Sequence, residues 1–284
     1  MRQKLVGIMT FEKMGAPALD YAPCHYGKSK LSFRGPRRDL SGEYVAFLGG
    51  SETYGKFIAE PFPAIVEAET GLTCVNFGIN NAGIDVFLND ATMLRVAERA
   101  QFCVVQVLGA NKLNNRYYAV HPRRNDRFIK ASHLMQTIFR EVDFTEFHFT
   151  RHMLGALATI APERFRLVID EVQQAWLARM EMLLARIDGR AILPCFADHA
   201  PEEKIHDGAL ETDPFGIERW MIEKLRGRVA QVVEVAASPA ALARGTEGMI
   251  FGDMDEPAAR GMLNPAAHDE AAGAVVAALA ELLD

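Results

Sequence analysis

YVAFLGGSETYG at 44–55, LTCVNFGINNAG at 72–83 and QFCVVQVLGAN at 101–111 decide the reading of this chain. Each begins as a short apolar run and stops at glycine. The third, β-branched and almost wholly apolar, has the composition of a strand covered on both faces. Helical sequence separates them, over 56–70 with a stop near Gly71 and again around 86–100. Strand-plus-helix units in this order predict a parallel sheet with right-handed crossovers. RAILPCFAD at 190–198 and RVAQVVEVA at 228–236 supply two later strands, giving an α/β protein with a five-stranded parallel sheet.

Outward from that core, residues 1–43 show no periodicity and carry Pro17, Pro23, Gly27, Gly35 and Pro36, so they read as an irregular arm laid over the sheet. Residues 44–284 read as one domain. The stretch between the third and fourth strands, about 112–189, is far longer than a single crossover helix requires and is an insertion. Val168, Val172, Trp176, Met180 and Leu183–Leu184 recur there at helical spacing and predict an amphipathic helix packed on the sheet.

The 284 residues are 49% hydrophobic and 24% charged, with a net charge of −6, which indicates a globular core and argues against extensive disorder. Eight Lys/Arg and three Asp/Glu fall in residues 1–40, so the rest is markedly acidic and nucleic acid is not an expected partner. The four cysteines form no C-x-x-C pair, which argues against a disulfide framework or zinc cluster and points to a reducing, cytoplasmic setting. MRQKLVGIMTFEKMG sits at the lower limit for a signal-peptide core, and AAGAVVAALAELL at 271–283 is too short to span a membrane. No membrane role, metal or cofactor is expected, and the oligomeric state is left open.

The turns that close the first three strands carry the chemistry. Ser51 stands between glycines at a strand-to-helix turn, where its Oγ can be presented at the mouth of a cleft. Gly78 lets the backbone approach a ligand closely, and Asn111 has a side-chain amide that can donate. The Ser51 and Gly78 amides with the Asn111 side chain would surround a developing oxyanion, a geometry suited to acyl transfer.

GGSETYG, NFGINNAG and GAN, each closing an apolar run, resemble the blocks of the SGNH (GDSL-like) hydrolase superfamily. The resemblance covers residues 44–111 and implies a flavodoxin-like three-layer α/β/α fold, with Ser51 as nucleophile and Ser51, Gly78 and Asn111 as the oxyanion hole. The chain departs from the superfamily at three places. Gly50 stands where an aspartate precedes the nucleophile, Lys112 stands where an aspartate follows the asparagine, and Asp-x-x-His before the last helix has no direct counterpart. In GMLNPAAH at 261–268 either His268 is the base or Asn264 occupies the base position and the triad is absent. The whole chain, including RGPRRDL, HPRRNDRF and DFTEFHFTRH, is also similar to a family of bacterial proteins to which no activity is attached.

Other side chains compete for roles. His148 and His152, four apart, would share a helix face as metal ligands, against aromatic neighbours that suggest packing. Asp198-His199 ends the fourth strand and could orient or replace His268. Arg34, Arg37 and Arg38, and the trio Arg123, Arg124 and Arg127 in the insertion, are candidate anion sites, with surface ion pairing as the plainer reading. The residues and the resemblance support two functions. One is a serine esterase or O-acyltransferase acting on a small acyl ester, for instance on a carbohydrate, with His268 as base and the arginine trio holding an acidic part of the substrate. The other is a non-catalytic protein of the same fold that binds an anionic glycan or a partner enzyme.

Overall fold

The computed structural model describes residues 19–201 and 212–283. Residues 1–18 of the arm, and with them the signal-peptide reading, lie outside that range. Strand β1 (Val45–Gly49) runs into the single turn α1 (Ser51–Tyr54), and α2 (Phe62–Thr70) returns to β2 (Cys74–Gly78). The short α3 (Asp85–Leu88) and α4 (Ala91–Arg99) lead to β3 (Phe102–Val105). The insertion opens with an antiparallel hairpin, β4 (Tyr118–His121) and β5 (Arg124–Ala131), and continues through α5 (His133–Ile138), α6 (Thr150–Ile160) and the long α7 (Pro162–Ile187) to β6 (Ala191–Ala197). Then come α8 (Arg219–Leu225), β7 (Gln231–Ala236), α9 (Pro239–Leu242), α10 (Glu256–Ala259) and α11 (Pro265–Leu283).

The five strands pair in the order β2-β1-β3-β6-β7, all parallel. This is the flavodoxin-like order, with helices on both faces. Alternation along each strand assigns the faces. Val45 and Phe47 point to the layer of α2 and α11, where they join Phe62, Val66, Ala267, Ala271 and Val275. Ala46 and Leu48 point to the layer of α4, α6 and α7.

The apolar stripe of α7 is buried along its length, from Val168 through Trp176 to Ile187. Burying each such side chain contributes about 1.5–3 kcal/mol. Trp176 also donates its indole N–H to the Leu108 carbonyl at 2.7 Å, tying the helix to the exit of β3. Helix α2 begins at Phe62 rather than near 56, because Pro61 and Pro63 set its first turn, and it stops at Gly71 with φ +70°. The helix expected around 86–100 is two pieces. Asp90 interrupts it and caps the second, accepting from Thr92 N and Met93 N.

The described part of the arm is held by side chains. Tyr26 and Phe33 pack edge-on against Phe77, and Cys24 pairs with Phe33 in an antiparallel bridge. Arg34 is buried and donates to four carbonyls, those of Tyr54, Gly55, Ile58 and Ala59, at 3.2, 2.7, 2.8 and 2.6 Å. Arg38 pairs with Glu67, and Arg37 lies over the Tyr26 ring. Within the first arginine cluster Arg34 is therefore an internal clamp on the loop between α1 and α2, and Arg38 is spent on an ion pair with α2.

Candidate functional site

A cavity of about 650 Å³ opens at the carboxyl edge of the sheet, where open α/β sheets place ligands. Ser51 lines it, delivered by the turn from β1 into α1. Its Oγ accepts the Asn81 N–H at 3.0 Å and lies 3.5 Å from Asn81 Oδ1. Asn81 makes this contact from a left-handed backbone, φ +57°.

The other expected catalytic groups are engaged elsewhere. The Gly78 N–H donates to Asn76 Oδ1 at 2.9 Å. Gly78 is required for packing: a Cβ there would stand 2.6 Å from Thr53 C and closer still to Tyr54 N, so glycine is what lets β2 end against the backbone of α1. Asn111 is buried and does not line the cavity. Its Nδ2 points to Thr150 Oγ1 at 3.4 Å, and its carbonyl accepts from Tyr118 Oη at 2.9 Å. Burial raises the Tyr118 phenol above its ordinary pKa and keeps it a donor.

His268 is fully buried on the first turn of α11, between the rings of Phe62 and Phe196. Its Nδ1 accepts the Phe62 N–H at 3.2 Å, which assigns the proton to Nε2. Nε2 faces Glu52 Oε2 at 3.4 Å. Asn264, the alternative occupant of the base position, is spent on structure. It donates to the carbonyls of Ala241 and Gly245 at 2.6 and 3.0 Å and accepts the Ala267 N–H as a helix cap. His268, the one base the alignments offered, is thus held away from Ser51.

The arginine trio also lies apart from the cavity. Arg123, Arg124 and Arg127 are exposed on the β4–β5 hairpin, Arg127 over the Phe149 ring, and none lines the cavity wall. Among the described residues the Lys and Arg side chains that line the cavity are Lys112, Arg151 and Arg260. Asp213 faces two of them, Arg151 Nη2 at 2.7 Å and Lys112 Nζ at 3.9 Å. Asp198 lines the wall as well and pairs with His199 at 2.6 Å. His148 precedes α6 while His152 lies within it against Phe147, so the two share no helix face. Among the described residues no three His, Cys, Asp or Glu side chains cluster to hold a metal.

Sequence reasoning missed Glu52, Asn81, Gln106 and Arg151. Gln106 had a visible signal, as a lone amide following an apolar strand. Its Oε1 accepts from Gly50 N, Thr53 N and Thr53 Oγ1 at 3.0, 3.3 and 2.7 Å, and it lines the cavity. Three donors on the oxygen leave Nε2 as the group Gln106 offers to a ligand.

Fold and cavity together define a doubly wound α/β protein with a polar site at the sheet's carboxyl edge. Residues 9–283 match the family described as Domain of unknown function (DUF6473), and the chain belongs to that family. No curated protein matches it.

Proposed function

We propose that this chain is a non-hydrolytic, SGNH-like protein that binds a small polar molecule in the cavity at the carboxyl edge of its sheet. The observation that carries the reading is the Ser51 hydroxyl, which is bonded to Asn81 while the candidate base His268 accepts the Phe62 N–H, and Asn264, at the base position in the other alignment, is an amide spent on structure. A serine without an adjacent base is a weak nucleophile. The Gly78 N–H is taken by Asn76 Oδ1, and Asn111, buried outside the cavity wall, directs its Nδ2 at Thr150, which favours binding over an oxyanion hole at Ser51.

The lining suits recognition of a small molecule or carbohydrate, including an anionic one, because charged groups of both signs stand beside neutral amides and hydroxyls. The acidic balance speaks against nucleic acid, and among the described residues no helix is long and apolar enough to cross a membrane. Four free cysteines favour a reducing, cytoplasmic setting. The esterase or acyltransferase reading draws on one observation, that Ser51 itself lines the cavity.

Fluorophosphonate labelling with mass mapping separates the two readings. No label at Ser51 is expected, and aryl acetate turnover equal in wild type and Ser51→Ala; selective labelling of Ser51 would restore the hydrolase. For binding itself, saturation-transfer NMR against a mixture of small polar metabolites should give signals that vanish in Thr246→Trp, which fills the cavity wall. Signals unchanged by that variant would place binding elsewhere.

A further inference from the structure

Gln106 stands one residue beyond β3, near the middle of the sheet. Its own N–H is bonded to the Leu48 carbonyl at 2.9 Å and that of Val107 to the Pro194 carbonyl at 3.0 Å, so the main chain here is still held between β1 and β6. The residue is only 6% exposed and lines the cavity. The N–H groups of Gly50 and Thr53 can only donate, so the atom that meets them at 3.0 and 3.3 Å is Oε1, and turning the amide over would set N–H against N–H. The Thr53 hydroxyl adds a third donor at 2.7 Å. Among the described residues Nε2 meets no acceptor, and it is not sealed in the interior. The other neutral groups of the wall do not select a ligand in this way. Ser51 and Thr246 carry hydroxyls that donate or accept, and the amide of Asn264 is consumed by its cap and loop bonds.

Resting on the ligand-binding reading above, we infer that Gln106 is a specificity-determining residue: the ligand presents to its Nε2 an oxygen that accepts without donating, that of a carbonyl or a carboxylate. An ammonium has donors and no lone pair, so at this point it would leave a desolvated amide donor unpaired and is refused. Strand and turn fix the amide before any ligand arrives, and the contact therefore costs little ordering. Carbonyl and carboxylate share the acceptor oxygen and differ in charge, which matched probes separate.

The test titrates the full chain with butanamide, butyrate and butylammonium and follows the side-chain ¹H–¹⁵N signals of Gln106, assigned by their loss in Gln106→Glu. In wild type butanamide or butyrate should shift these signals and bind about fivefold more tightly than butylammonium, the size of one neutral hydrogen bond. The tighter of the two names the source of the acceptor. Gln106→Glu keeps an oxygen for Gly50 and Thr53 and turns the cavity-facing atom from donor into acceptor. Its preference should invert, with butylammonium tighter than butanamide by a similar factor, whereas a role confined to holding the Ser51 turn would leave the order of the probes unchanged. The wild-type signals and ranking decide the matter even where Gln106→Glu does not fold. Gln106 signals unmoved by every probe at tens of millimolar, butylammonium as tight as the other two in wild type, or an unchanged order in folded Gln106→Glu would each overturn the assignment. The ligand-binding reading is judged separately: metabolite signals that vanish in Thr246→Trp while Gln106 stays unmoved would keep the cavity and remove this role alone.

Discussion

His268 Nδ1 accepts the backbone N–H of Phe62 at 3.2 Å, and this one bond turns the imidazole into the α2–α11 interface and away from Ser51. The nitrogen that a general base would offer to a serine is occupied by a main-chain donor, and the remaining N–H faces Glu52. The neutral imidazole is therefore expected as its Nε2–H tautomer. Long-range ¹H–¹⁵N spectra should show a protonated Nε2 and an acceptor-type Nδ1; the reverse assignment would mean that the ring is turned.

Arg34 should be among the costliest residues to replace. Arg34→Met leaves four carbonyls of the α1–α2 loop without their donor, a loss of about 3 kcal/mol or roughly 6–12 °C in Tm for a chain of this size. Arg34→Lys should recover little, because one ammonium cannot span the four acceptors. Thermal denaturation of both variants checks this, and a Tm unchanged by Arg34→Met would contradict the clamp.

Gly78→Ala should destabilise by about 2 kcal/mol, since its Cβ meets backbone atoms of Thr53 and Tyr54 that cannot swing aside. The folded fraction should keep its ligand affinity within about twofold, because the Gly78 N–H is bonded to Asn76. A stable variant that had lost ligand binding would instead indicate that the Gly78 amide serves the cavity.

Asn264→Ala removes the cap of α11 and two bonds to the α9 loop together, for which about 2 kcal/mol is expected by chemical denaturation. Hydrogen exchange should localise the loss to residues 239–245 and the first turn of α11. Uniform destabilisation with no local signature would speak against the tie.

Burial pushes the thiols of Cys74, Cys103 and Cys195 from 9.0 up to about 12. The fold thus holds protons that the unfolded chain releases near pH 9. The corresponding stability is complete below that pH and is lost as pH rises toward 12. Thermal midpoints should fall over that window. Iodoacetamide at pH 8 should alkylate these three only after denaturation, while the half-buried Cys24 reacts first. Rapid labelling of Cys103 in the native protein would contradict its burial.

The amino-acid sequence by itself determined the layers. Apolar runs stopped by glycine mark β1, β2 and β3, and the Val168-to-Leu184 stripe marks the face that α7 buries. Both are periodic signals carried by neighbours along the chain. It also brought Ser51 to the sheet's carboxyl edge, since a turn after a parallel strand has nowhere else to go. Only the tertiary structure decided what each polar group does there. Asn111 turned to Thr150 because the insertion packs beside β3, the Gly78 amide was taken by Asn76, Arg34 found four carbonyls in the α1–α2 loop, and His268 met Phe62 across more than 200 residues of chain. A hydrogen bond reaches only about 3 Å, so its partner is fixed by which element lands alongside, and no local pattern of residues records that.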